Sequence, residues 1–191
     1  SDIVYRDNGV MFTSLHSLEP ELRSKTITIY GFSKTFSLAG LRLGFIVLPD
    51  RPTYDAVLDE GDILSTAGGV STLSQIAGMA AFRSAWGWVE AFLEHLQEQR
   101  DYAVERLNRI DGVTCRKPEG TYVVFPRVSS FGLSSQEIAR RALERERVAV
   151  VPGTPEFFGP RGEGHIRICF ATSREILQAG LDRLERALGA L

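Results

Sequence analysis

Apolar and polar positions alternate with different periods along this chain, and each change of period marks an element. A short apolar run, Ile3-Val4-Tyr5, reads as the end of a buried strand, and a polar stretch through Asp7-Asn8-Gly9 and Glu19-Pro20-Glu21 follows it. Ile27-Thr28-Ile29-Tyr30 and Phe45-Ile46-Val47-Leu48 then read as two buried strands, the second closed by Pro49-Asp50. Arg51-Pro52 opens a short helix through Leu58, since proline is tolerated in a first helical turn. Between Thr72 and Phe82 the residues Leu73, Ile76, Ala77, Ala80 and Ala81 put small apolar groups on one helical face, suited to close packing on a sheet.

Trp86-Gly87 interrupts this pattern, and a long amphipathic helix is expected from about Trp88 to Ile110. Beyond Asp111-Gly112 the texture is that of a small α/β unit. Strands are expected at Val113-Thr114-Cys115, Tyr122 to Phe125, Val148 to Val151 and Ile166 to Ala171, with helices from Ser135 to Arg145 and from Ser173 to Leu188. Ser134-Ser135-Gln136-Glu137 and Thr172-Ser173-Arg174-Glu175 supply capping groups ahead of those helices. The organisation expected is a first domain over 1–86, a linking helix over 87–110 and a small domain over 111–191.

Within this frame the loop between the first two strands, Ser33-Lys34-Thr35-Phe36-Ser37-Leu38-Ala39-Gly40-Leu41-Arg42-Leu43-Gly44, carries the chemistry. A lysine flanked by buried strands can be desolvated, lose its proton and attack a carbonyl. Ser33 brings a hydroxyl, Arg42 a planar cation, and Gly40 and Gly44 remove side-chain bulk, so the loop suits a dianionic phosphate.

The spacing S-K-x-F-x-x-x-G-x-R-x-G resembles the pyridoxal-phosphate attachment motif of the class I and II aminotransferases. The resemblance implies that Lys34 forms a Schiff base with pyridoxal 5'-phosphate and then moves the proton at the substrate α-carbon. Ser33 and Arg42 are implied to bind the cofactor phosphate. Asp2-Ile3-Val4-Tyr5 is similar to the family's D-x-x-Y strand end, with Ile3 where glutamate is usual. There Asp2 would face the pyridine nitrogen and Tyr5 would donate to the ring's phenolic oxygen. Val148 to Gly153, Phe158-Gly159 and Gly164-His165-Ile166-Arg167-Ile168-Cys169-Phe170-Ala171 resemble the small-domain signature, which assigns Arg167 to the substrate α-carboxylate. Gly120 to Pro126 is similar to another strand of that domain, where Tyr122 is expected to pack.

The fold implied is α/β, the type I pyridoxal-phosphate-dependent transferase fold. It would comprise part of the large domain plus the small C-terminal domain. The resemblance covers the C-terminal half of the family's usual length, so a fragment lacking much of the cofactor pocket is expected. The activity implied is amino transfer between an amino acid and a 2-oxo acid. A carbon–sulfur lyase or decarboxylase of the same fold, or a catalytically incompetent fragment, are the alternatives. A homodimer is implied as well.

Composition narrows the rest. With 43% hydrophobic and 24% charged residues and a formal net charge of −2, no basic stripe points to nucleic acid. No apolar run has the length of a membrane span. Cys115 and Cys169 stand apart without metal-ligand spacing and read as buried reduced thiols, which fits the cytoplasm. His16, His95 and His165 likewise suggest no metal, and His95 is expected on a solvated helix face. The glycines at 153, 159, 162 and 164 lack the lysine that closes a phosphate-binding loop, so a flexible loop beside the substrate entrance is expected there.

Overall fold

A computed structural model describes residues 3–5, 7–9, 11–65 and 69–191. Asp2 lies outside them. The chain divides into two compact units, Ser1–Ala91 and Phe92–Leu191.

In the first unit a single helical turn, α1 (Pro20–Arg23), precedes β1 (Thr28–Gly31), and β2 (Gly44–Val47) pairs antiparallel with it. Helices α2 (Arg51–Glu60) and α3 (Thr72–Ser84) follow. Both start at side-chain caps: Asp50 accepts the Thr53 backbone N–H at 2.8 Å, and Ser71 accepts that of Ser74 at 3.2 Å. Trp86-Gly87 does not break the next helix. After Ala85 caps α3, α4 (Trp86–Asn108) takes both residues into its first turn.

The interior of this unit is aromatic. Phe32 packs edge-on against Phe82 at 5.1 Å, and Phe36 packs against Trp86 at 5.3 Å. Ile3 and Tyr5 are buried as well. The strands depart from expectation: every residue of β2 is exposed, and Ile29 of β1 is 77% exposed. An apolar run therefore did not mark a covered strand here, because among the described residues this sheet is a two-stranded ribbon.

The second unit closes its own core. Its sheet has the order β3-β5-β4, all antiparallel, from β3 (Val123–Val124), β4 (Val151–Pro152) and β5 (Ile166–Cys169). The segment at Val113 to Cys115 contributes only an isolated bridge, Thr114 to Arg127. Between the strands lie α5 (Ser135–Glu146) and the short α6 (Pro155–Phe158), and α7 (Arg174–Gly189) ends the unit. Ser134 and Ser173 cap α5 and α7 by accepting the N–H groups of Glu137 and Ile176. Leu96, Ala103 and Leu107 of α4 are fully buried, as are Ile138 of α5 and Leu181 and Leu184 of α7 to within 2%. Each leucine so buried contributes about 1.5–3 kcal/mol. Arg106 ties α4 to α7 through Asp182 (2.6 Å) and Glu185 (3.0 Å).

Two side chains and one segment depart from expectation. His95 is half-buried, its Nε2 2.9 Å from the Thr172 carbonyl oxygen. Cys115 is buried, but Cys169 is exposed because it falls on the open face of β5. The glycine-rich segment is cinched rather than loose. Gly153 N–H donates to the His165 carbonyl (2.9 Å), and a side chain at Gly153 would collide with the Gly162 carbonyl oxygen.

Candidate active site

Hydrogen bonding carries the β1–β2 hairpin one step past its last paired residues. The register runs from Thr28 opposite Val47 to Gly31 opposite Gly44, and the Phe32 N–H then donates to the Leu43 carbonyl at 3.2 Å. Ser33 follows Phe32 and Arg42 precedes Leu43, so the two residues bound the loop beyond this hydrogen bond, with Lys34 just inside. The loop folds back on itself through Leu38 N–H to Phe32 O (3.3 Å) and Ser37 N–H to Lys34 O (3.3 Å).

Two non-glycine residues of this loop, Ser37 (φ 56°) and Arg42 (φ 50°), occupy the left-handed region. Each such residue costs about 1–3 kcal/mol and persists only where surrounding structure demands it. At Arg42 the demand comes from a tight turn, Ala39–Leu41, whose last residue precedes it and whose Ala39 carbonyl accepts its N–H at 3.4 Å. Support also comes from α3. Ser74 donates its hydroxyl to the Leu41 carbonyl at 2.7 Å, and Gly78 lacks the side chain that would strike Leu43.

Lys34 and Arg42 are exposed and Ser33 is half-buried. The desolvated lysine expected between buried strands is not found within this chain, because β2 is itself open to solvent. Among the described residues Arg42 has no carboxylate partner, so its guanidinium donors are available to an anion. Tyr5 is 2% exposed. Asp2 falls outside the described residues and receives no structural account.

Arg167 belongs to the second unit, on β5, where it is paired with Val151 of β4. An unpaired arginine in an apolar strand reads as a costly burial, but the strand alternates: Ile166 is buried and Arg167 exposed. The guanidinium lies on the open face without an ion pair among the described residues, its Cζ 5.9 Å from the centre of the Phe158 ring. Sequence reasoning missed this aromatic contact, as it missed Ser74. The Phe158-Gly159 pair was visible, but its partner across the loop was not.

Among the described residues no cluster of three histidine, cysteine or acidic side chains could hold a metal, and no helix is long and apolar enough to cross a membrane.

The pattern that defines "Aminotransferase class I and II" matches residues 1–184. An aspartate aminotransferase of Pyrococcus horikoshii is 39% identical over 165 residues, covering 85% of this chain and 41% of the relative. A solved structure of a pyridoxal-phosphate-bound protein from Clostridium difficile 630, described as an aminotransferase, superposes with a TM-score of 0.86 at 32% identity. It covers 98% of this chain and 48% of that one. The cystathionine beta-lyase PatB of Bacillus subtilis is 30% identical over 98% of this chain and 49% of its own length. The chain thus spans about half the length of the relatives it matches and has part of their α/β fold. It belongs to the class I and II aminotransferase family.

Proposed function

We propose that this chain carries the cofactor lysine of a pyridoxal-phosphate-dependent aminotransferase, acting between an amino acid and a 2-oxo acid. The observation that supports this most is the loop that bears Lys34, bounded by Ser33 and Arg42 just beyond the Phe32 to Leu43 hydrogen bond. A hydroxyl and an unpaired guanidinium at one end of a hairpin fit a phosphate dianion. The left-handed Arg42 is the kind of strained position that functional loops retain.

Pyridoxal phosphate, when bound, supplies the electron sink that makes a substrate α-proton removable. In this reading the Lys34 amine would hold the cofactor's aldehyde carbon and would move the proton at the substrate α-carbon. Ser33 and Arg42 would hold the phosphate. Asp2 would hold a proton at the pyridine nitrogen, and Tyr5 would donate to the phenolic oxygen. Arg167 would bind the substrate α-carboxylate by a two-pronged pair.

We extend the proposal to a cytoplasmic homodimer. Cys115 and Cys169 are free thiols, as suits a reducing compartment. Exposed apolar side chains in the first unit, Ile29, Ile46, Leu73 and Ile76 among them, are of the kind subunit contacts cover. Sedimentation at micromolar concentration tests this, a monomer being the contrary result.

Incubation of amino donors with 2-oxoglutarate tests the activity. Glutamate formation that is lost in Lys34→Ala supports it, and no donor yielding glutamate counts against it. The lyase relative favours a second reading, carbon–sulfur bond cleavage. Release of pyruvate and ammonia without an acceptor would select that reading.

A further inference from the structure

We infer that Phe158 is a positioning residue for Arg167, holding the guanidinium by its face so that its edge stays open to a carboxylate. The inference rests on the reading of Arg167 as the substrate's carboxylate site. Arg167 Cζ lies 5.9 Å from the Phe158 ring centre. That ring packs on Phe125 at 4.9 Å, and Phe125 stacks on His165 at 5.0 Å with only 9° between the planes. Guanidinium and three rings therefore form one continuous row on the second unit.

The segment that leads into His165 is tied by hydrogen bonds. Val128 N–H donates to the Gly164 carbonyl (2.7 Å), Gly164 N–H to the buried Ser135 hydroxyl (2.8 Å), and Ser135 N–H to Glu163 Oε1 (2.7 Å). A Cβ on Gly162 would lie 2.5 Å from the Phe158 Cβ, so the absence of a side chain there is what seats Phe158. The segment from Gly153 to His165 thus leaves Phe158 little freedom, and the ring in turn limits Arg167.

The chemistry favours an aromatic over an acidic support. All five guanidinium N–H donors lie in its plane, so a glutamate neighbour would occupy the donors that a substrate carboxylate needs. A ring beneath the plane attracts the cation and leaves those donors free. Restricting the side chain before binding lowers the entropy lost when the carboxylate pair forms.

The test compares Phe158→Leu with Phe158→Tyr in the holoenzyme, beside Arg167→Lys. In Phe158→Leu, KM for amino acid and 2-oxo acid should rise together about two- to fivefold, the effect of one exposed cation–π contact, with kcat within about twofold. Phe158→Tyr should restore KM. A raised KM in Arg167→Lys with an unchanged KM in Phe158→Leu overturns the inference alone. An unchanged KM in Arg167→Lys overturns the reading beneath it, and the inference with it. Proton NMR of the chain gives a readout free of activity. The Arg167 Cδ protons, assigned by their loss in Arg167→Lys, should be displaced upfield by the ring current of Phe158. Resonance at the ordinary arginine position overturns the inference.

Discussion

Ser74 on α3 donates its hydroxyl to the carbonyl of Leu41 across 2.7 Å, joining a helix to the loop that carries Lys34. Ser71, the cap of the same helix, donates in turn to the Ser74 hydroxyl at 2.9 Å. Helix start and lysine loop are thus one hydrogen-bonded assembly. Ser74→Ala leaves the Leu41 carbonyl without this donor while preserving the helix. It should lower stability by about 1–3 kcal/mol and make the segment from Lys34 to Leu43 more susceptible to proteolysis. Urea denaturation and mapped cleavage sites measure both, and an unchanged midpoint contradicts the coupling.

Gly44 closes the other side of the same loop. A Cβ there would lie 2.7 Å from the Tyr30 carbonyl oxygen, a backbone atom that cannot rotate away. Gly44→Ala should therefore part the end of the β1–β2 ribbon, at a cost of about 1–3 kcal/mol, and disturb Ser33 and Arg42 beyond it. Hydrogen exchange at the Phe32 amide, which donates to Leu43, reports the change. Unaltered protection of that amide would argue that the loop mouth does not depend on Gly44.

Acid should weaken the second unit through carboxylates on and beside α5. Side-chain hydrogen bonds from Arg140, and then from Arg141, hold the Glu137 carboxyl down at about 2 from its ordinary 4.5. The Ser135 backbone N–H lowers Glu163 in the same direction. A carboxyl whose folded value lies below its unfolded one stabilises fully above the unfolded value. That contribution is lost as pH falls through the folded value. The melting temperature should fall between about pH 4.5 and about pH 2, and Glu137→Gln should flatten the slope. A parallel slope in the variant contradicts this assignment.

The two cysteines should differ in reactivity. Burial pushes the Cys115 thiol up to about 11, whereas Cys169 lies exposed on β5. A thiol reagent at pH 8 should label Cys169 promptly and Cys115 only after unfolding, since the thiolate is the nucleophile. Equal labelling of both in the folded chain contradicts the burial of Cys115.

Element types were largely legible in the sequence because helical periodicity is local. The helices starting at Ser135 and Arg174 begin behind the capping serines their sequences supply, Ser134 and Ser173. What misled was burial. Ile29, Ile46 and Cys169 look like core in sequence, yet whether an apolar strand is covered depends on what packs over it, which spacing does not encode. The lysine loop was legible from its motif, and the hydrogen bond from Phe32 to Leu43 that closes it is displayed only by the folded hairpin. The row from Arg167 to His165 joins residues from three segments, so no local pattern pointed to it.

The central claim is that Lys34 is the residue to which pyridoxal phosphate attaches. The direct measurement is to mix the chain with pyridoxal 5'-phosphate, reduce with borohydride, digest, and locate the added mass. A visible absorption band should appear before reduction and the cofactor mass on Lys34 afterwards, both lost in Lys34→Ala. Label spread over surface lysines, or a band that survives Lys34→Ala, would contradict it.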